Sequence, residues 1–382
     1  MSFTSVPFDH RLEPQTSAAA LVFAGIHWAA MQYGIAARVE DTALNMAQAV
    51  VHGVFDWLPR VEAYTGIGTL TQIRVLCRTL LSPAERVRER PSPPQRGLRS
   101  YICLPADGEQ VEIRIGTQSI LTVTDRTGYI DQVITLLEPV KPGWHTVHFT
   151  TPRSGATSHA PFLAVDPAAK VGLVSDIDDT TMITAVPQLA VAAWRTFLEK
   201  TVNREPVAGM SALFSELISA YPTAPVIYLS NGAWNSAPAL RRFLARWHFP
   251  PGPLLLTDFG PTATGFFRSG KTHKRQQIRW LMEFFPDIGW FLFGDNGQSD
   301  PEIYSEAARE YPNRVAAIAI RTLNAVQRIL WLAGAFPAEI PDNHDTVVPF
   351  VAGANGDELG AELRKLGLLP SLPNPSRIES RA

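Results

Sequence analysis

The sequence predicts an α/β protein, with a parallel sheet in its second half preceded by a β-rich domain. Three observations carry that expectation. From Lys170 onward apolar runs alternate with helical patterns, the texture of a parallel sheet. Several of those runs stop abruptly in acidic or small polar residues, as buried strands do when they bring side chains to a sheet edge. Between 61 and 165 the texture is different: short alternating runs separated by turn residues.

Taken in order, residues 17–58 read as helical, rich in Ala, Leu, Met and Gln, with Pro59 as a stop. The stretch Ser17 to Ala37 is uncharged and nearly the length of a membrane span, but it contains His27 and Gln32 and alanine contributes little to insertion. A helix packed on the protein is the plain reading, and a helix lying at a membrane surface the sharper one. Arg11, beside Asp9 and Glu13, makes no signal-peptide n-region. A sandwich-like β-domain is expected over 61–168, on runs such as Ile73–Leu76, Val111–Ile115, Val133–Leu136 and His145–Phe149, with turns at Asp107-Gly108, Thr127-Gly128 and Pro142-Gly143. Residues 82–99 read as a solvated loop rich in Pro and Arg, with contact to anionic head groups as its functional alternative.

The α/β domain is expected over 169–335. Its strands fall at 171–176, 226–230, 253–257, 290–294 and 315–320, its helices near 187–202, 209–220, 236–247, 271–285 and 301–310, and a further helical segment runs from Leu323 to Phe336. Residues 336–382 form a C-terminal extension with a short helix near 357–367. The first 60 residues make the N-terminal helical segment.

A chain of 382 residues exceeds one ordinary core, consistent with this division. Its 46% hydrophobic and 18% charged residues are a normal globular balance. A net charge of −2 gives no support for a nucleic-acid partner. Cys77 and Cys103 lack metal-ligand spacing and lie in strand-like stretches, so free buried thiols in a reducing, cytoplasmic setting are expected.

The chemistry gathers at four places. Asp176-Ile177-Asp178-Asp179-Thr180 follows the apolar run Val171–Val174, and side chains two apart on a strand share a side. Like charges that close ask for a hard cation, an acid/base pair, or both. Val226–Leu229 ends in Ser230-Asn231, either anion ligands or an ordinary helix cap. Lys271 and Lys274 share the helical stripe of Ile278, Leu281 and Phe285. Trp290–Gly294 ends in Asp295, with Asp300 five residues on, where Pro301 also suits a helix start.

The order DxDx(T), Ser230, Lys274 and GDxxxxD resembles the haloacid dehalogenase phosphotransferase superfamily. The strings SDIDDT (175–180), LSNGAWN (229–235), HK (273–274), GDNGQSDPEIY (294–304) and PNRVAAI (312–318) are similar to the lipin-like phosphatidate phosphatase catalytic domain in its bacterial and fungal form. The resemblance covers roughly 170–335, and a weaker likeness at Tyr64–Gly66, Asp125–Tyr129 and Pro142–His145 extends to the β-domain that often precedes it.

The resemblance implies a Rossmann-like parallel sheet with Asp176 as nucleophile and Asp178 as general acid and base. It implies Mg²⁺ held by Asp176, Asp295 and the backbone carbonyl of Asp178. Ser230 and Asn231 would bind phosphate, and Lys274, on which the HK string falls, is preferred to Lys271 as the cation. Thr180 and Asp300 would support the site, and Asp179 would serve the following turn. The implied substrate is phosphatidate or another phosphomonoester, with peripheral membrane contact. Hydrolysis of soluble phosphoesters or phosphoproteins, and a non-catalytic lipid- or partner-binding protein, are the alternatives. The aromatics Trp234, Phe266 and Phe267 lie near the motif loops, as acyl-chain contacts or as packing.

Overall fold

The computed structural model describes residues 57–84, 87, 104–184, 204–257, 270–323 and 348–370. The expected N-terminal helix, Cys103, most of the basic loop, the helix at 187–202, Phe266, Phe267 and the helical segment after Leu323 lie outside the described residues.

The first sheet is mixed. β1 (Trp57–Gly68) runs antiparallel to β2 (Gln72–Pro83), and both β3 (Leu104–Pro105) and β6 (Tyr129–Thr135) pair with β2. On its other side β1 pairs in parallel with β8 (Ala156–Ala164). The ladder continues antiparallel through β7 (Gly143–Thr151) and β4 (Gln110–Ile115) to β5 (Gln118–Val123). Side chains then bring β5 back to β6: Gln118 Nε2 donates to the Thr135 carbonyl at 3.0 Å, and Thr122 Oγ1 to Gln132 Oε1 at 3.3 Å. Val61, Ile73, Val75, Ile113, Ile130, Val147, Phe149 and Phe162 fill one core inside this curl.

The expected sandwich is therefore corrected to a single eight-stranded sheet curled about one core. Alternation in sequence determines which face of a strand is buried, not whether successive strands share one ladder or divide between two. Cys77 is a buried free thiol, as expected.

The second sheet is parallel throughout, in the order β11-β10-β9-β12-β13-β14. Its strands are β9 (Val171–Asp176), β10 (Val226–Ala233), β11 (Leu254–Thr257), β12 (Gly289–Asp295), β13 (Val315–Arg321) and β14 (Phe350–Gly353). The described helices are α1 (Met210–Ala220), α2 (Ala237–Arg246), α3 (Gly270–Phe284), α4 (Asp300–Glu310) and α5 (Gly356–Lys365). Apolar runs form these strands because helices cover both faces of the sheet. Leu213, Phe214 and Leu217 pack on one face, and Ile278, Leu281 and Phe285 on the other.

β14 was not expected as a strand. Four residues, Phe-Val-Ala-Gly, are too short for a periodic signal, yet Ile318 to Arg321 pair with Phe350 to Gly353. Register sets the site: Leu229 lies opposite Asp176, and Phe293 opposite Ser175, so Ser230 and Asp295 each fall one residue beyond the level of Asp176.

The two sheets are packed together. Tyr64, Leu76 and Tyr129 join the apolar cluster of Trp234, Phe243 and Leu256. Arg241 Nη2 donates to Thr65 Oγ1 at 2.7 Å, and Arg74 Nη1 to Gln277 Oε1 at 2.8 Å. Among the described residues no helix is long and apolar enough to cross a membrane.

Candidate active site

Asp176 closes β9 and is buried, as a carboxylate carried at the end of a central strand must be. Lys274 reaches it from the start of α3: its Nζ lies 2.7 Å from Asp176 Oδ1 and 2.6 Å from Asp300 Oδ1, with the lysine side chain 1% exposed. Lys271 is on the solvent side, paired with Glu302 at 2.8 Å, so Lys274 is the buried cation of the two. Of the stripe shared with Ile278 and Leu281, Lys274 is covered, whereas the Lys271 side chain stays about half exposed.

Asp295 ends β12, and its Oδ1 accepts the Gly297 N–H at 2.6 Å. Its Oδ2 is buried without a hydrogen-bond partner. Asp300 occupies the first turn of α4 beside Pro301, and its Oδ2 accepts a long bond from the Asp295 N–H at 3.4 Å. Ser299 occupies the N-cap position without a side-chain hydrogen bond, and the carboxylate of Asp300 is turned into the site by Lys274 and the Asp295 N–H rather than capping the helix. This close approach needs Gly294. A Cβ there would lie 2.7 Å from Asp300 Cβ and 2.7 Å from Tyr304 Cε2.

Oxygens of Asp176, Asp295 and Asp300 all lie within 4.8 Å of one another. Burial, then mutual repulsion, pushes Asp295 well above the usual carboxylate range. Burial does the same to Asp176, with Lys274 opposing. Burial works against the Lys274 ammonium, but Asp176 and Asp300 outweigh it and hold its pKa above the ordinary lysine value. One ammonium against this carboxylate group leaves negative charge in excess. The unpartnered Asp295 oxygen and an all-oxygen donor set fit a hard divalent cation.

Asp178 lies just past the end of β9, so strand alternation does not place it; the turn does, through a bridge to Met182. Its Oδ2 accepts from Ser230 Oγ at 3.0 Å and its Oδ1 from Thr184 Oγ1 at 3.2 Å. Burial raises its pKa, opposed first by the Ser230 bond and then by the Arg204 charge. Its carboxylate thus faces the β10 end, apart from the three-acid group.

Ser230 is buried and also accepts the Gly232 N–H at 2.9 Å. It caps no helix, since α2 begins after Ser236. Asn231 Nδ2 donates to Gln298 Oε1 at 3.2 Å, while its Oδ1 is buried without a partner. Thr180 Oγ1 donates to Asp176 Oδ2 at 3.3 Å. Asp179 serves the turn: its Oδ1 accepts the Thr184 N–H at 2.8 Å, and its φ of 57° is in the left-handed region. Trp234 packs against Tyr64 with ring centroids 4.5 Å apart, a core contact.

Sequence reasoning missed Thr184, Arg204 and Arg321. Arg204, near Asp178 and Asp179, carries no pattern that marks it. Arg321 does: it ends an apolar strand, the same signal that marks Asp176 and Asp295.

Residues 171–322 match the family model described as phosphatidate phosphatase APP1, catalytic domain. The match spans 152 of the 382 residues of the chain. The chain is 30% identical over 152 residues to phosphatidate phosphatase APP1 of Saccharomyces cerevisiae, covering 40% of this chain and 26% of the yeast protein. An uncharacterized protein of Schizosaccharomyces pombe is 28% identical over 152 residues, covering 40% of this chain and 25% of that protein. The chain thus matches about a quarter of the length of these curated relatives. Among solved structures, the Pnkp1/Rnl/Hen1 complex is similar at 17% identity and a TM-score of 0.30, covering 42% of this chain and 47% of that one. The class C acid phosphatase from Bacillus anthracis with tungstate bound is similar at 16% identity and a TM-score of 0.27, covering 54% and 81%. The APP1-type segment contains Asp176, Asp178, Ser230, Lys274, Asp295 and Asp300, whereas Tyr64 and β14 lie outside it.

Proposed function

We propose that the protein is a Mg²⁺-dependent phosphatase that works through an aspartyl-phosphate and converts phosphatidate to diacylglycerol. One observation carries the reading: Lys274 is clamped between Asp176 and Asp300, beside an Asp295 oxygen that has no partner. Such a group binds and neutralises a phosphoryl oxyanion and a cation together.

In this reading the Asp176 carboxylate attacks phosphorus, the P–O ester bond breaks, and the departing alkoxide takes the proton of Asp178. Burial keeps Asp178 protonated at higher pH than an exposed carboxyl, which suits an acid. Asp178 then takes a proton from water as the water oxygen attacks the same phosphorus, releasing phosphate and restoring Asp176. Ser230 and Asn231 orient phosphate oxygens, and Lys274 neutralises their charge. Asp176, Asp295 and the Asp178 carbonyl would hold Mg²⁺, which supplies charge neutralisation at the phosphoryl group. Asp300 orients Lys274, and Thr180 holds Asp176. The family match supports phosphatidate as substrate; a cytoplasmic protein would meet that lipid at the surface of a bilayer.

The test is phosphate release, with Mg²⁺, from phosphatidate vesicles and from soluble phosphoesters, by wild type and Asp176→Asn. Release from phosphatidate, abolished by the substitution, is expected. Turnover of soluble esters alone would remove the lipid assignment, and no release from either would end the enzymatic reading.

A further inference from the structure

We infer that Arg321 is a positioning residue that acts on Asp178 through the backbone of Asp179. The inference rests on the assignment of Asp178 as the acid that protonates the leaving group. Arg321 closes β13, and its side chain is buried where an exposed guanidinium would be the ordinary outcome. Its Nη1 donates to the Asp179 carbonyl at 2.7 Å, and its Nε to the Ala354 carbonyl at 3.1 Å. The planar fork therefore joins the turn that follows Asp178 to the connection between β14 and α5.

The turn needs such a brace. Asp179 is a non-glycine residue at φ 57°, a conformation that persists when its surroundings over-determine it. The Asp179 N–H donates to the Met182 carbonyl at 2.8 Å, its Oδ1 accepts the Thr184 N–H at 2.8 Å, and Thr184 Oγ1 holds Asp178 Oδ1 at 3.2 Å. Release of the Asp179 carbonyl lets this turn relax and carries Thr184, and with it the Asp178 carboxylate, out of place. The Arg321 backbone also ties down the neighbouring strand end: its carbonyl accepts the Asn296 N–H at 3.1 Å, directly after Asp295.

The anchor on Ala354 lies beyond the family-matched segment, which ends at residue 322. Around it, the Thr322 N–H donates to the Gly353 carbonyl at 2.8 Å and the Gly356 N–H to the Ala208 carbonyl at 2.9 Å. β14 and α5 are thus part of the support of the Asp178 turn, not an appendage to the sheet.

Leaving-group dependence separates this role from a structural one. An alkoxide needs a proton to depart and p-nitrophenolate does not, so in kcat/KM, which excludes the later attack of water common to both esters, damage to the acid shows on alkyl phosphates alone. Arg321→Lys keeps the charge and loses the fork. Its kcat/KM for an alkyl phosphate should fall on the order of a hundredfold, that for p-nitrophenyl phosphate by less than about tenfold, and Asp178→Asn should show the same selectivity. If Arg321→Lys unfolds, Arg321→Ala with added guanidinium replaces it, and recovery confined to the alkyl substrate is expected. Equal losses on both substrates, no loss on either, or recovery on both would overturn the assignment. A wild type that hydrolyses neither ester fails at the earlier reading of the site, which is a different result.

Discussion

At the scale of single residues, the site is governed by buried charge. Lys274 is ion-paired to both Asp176 and Asp300, while Arg321 reaches Asp295 only through its longer-range charge. Removing one partner of a buried pair costs about 3–5 kcal/mol, so Lys274→Met should lose activity and also unfold at lower denaturant. Lys271→Ala breaks only an exposed pair, worth about 0–1 kcal/mol, and should leave turnover within about twofold. Equal damage from both substitutions would show that burial does not distinguish them. The pH behaviour follows from the same charges. Asp176 and Asp295 have folded pKa values raised well above 3.8, so the folded state retains protons that the unfolded state has given up. Metal-free protein should therefore lose stability as pH rises from about 4 through those raised values. A bound divalent cation would hold the carboxylates ionised, so added Mg²⁺ should raise stability most at the upper end of that window. Denaturant midpoints with EDTA and with Mg²⁺ across the range test both signs.

At the scale of elements, strand ends build the site, and they were the most legible part of the sequence. Val171–Val174 and Trp290–Phe293 are apolar runs that stop in acid, and the structure ends β9 and β12 at Asp176 and Asp295. Gly294 was legible only as part of a string, because its reason is the Cβ space occupied by Asp300 and Tyr304. Overpacking there costs about 1–3 kcal/mol. Gly294→Ala should therefore depress kcat far more than its thermal midpoint shift would suggest, since the clash falls on the residue that holds Lys274. Retained wild-type kcat would show that Asp300 is not constrained at this point. β14 was hidden by its length, and the placement of Asp178 by a turn that strand alternation does not describe. The sandwich expectation failed for a related reason: each β-strand shows its buried face, but the partner across the ladder is not written in its own residues.

At the scale of the whole molecule, the curled sheet and the parallel sheet share apolar packing. Tyr64 lies in β1, yet its ring rests on Trp234, four positions after Ser230 along the chain. Truncation of a buried aromatic costs about 3–5 kcal/mol. Tyr64→Ala should lower one common thermal transition and reduce turnover through the Ser230 loop. Two separated transitions in calorimetry, with only the first displaced, would show that the sheets fold independently. Arg74 adds a polar tie, since it pairs with Asp131 at 2.6 Å and its guanidinium lies 4.5 Å from the centre of the Trp280 ring.

What the sequence determined by itself was local and periodic: buried strands, the acids and hydroxyls at their ends, and the helix stripe that carries Lys274. Those signals survive in one dimension because burial and period are properties of neighbouring residues. The tertiary structure alone decided which oxygen of Asp295 lacks a partner, and that Arg321 joins Ala354 to the Asp179 turn. Each depends on groups far apart along the chain, brought together by strand register and by the space left between packed side chains, and neither quantity is carried by any single segment.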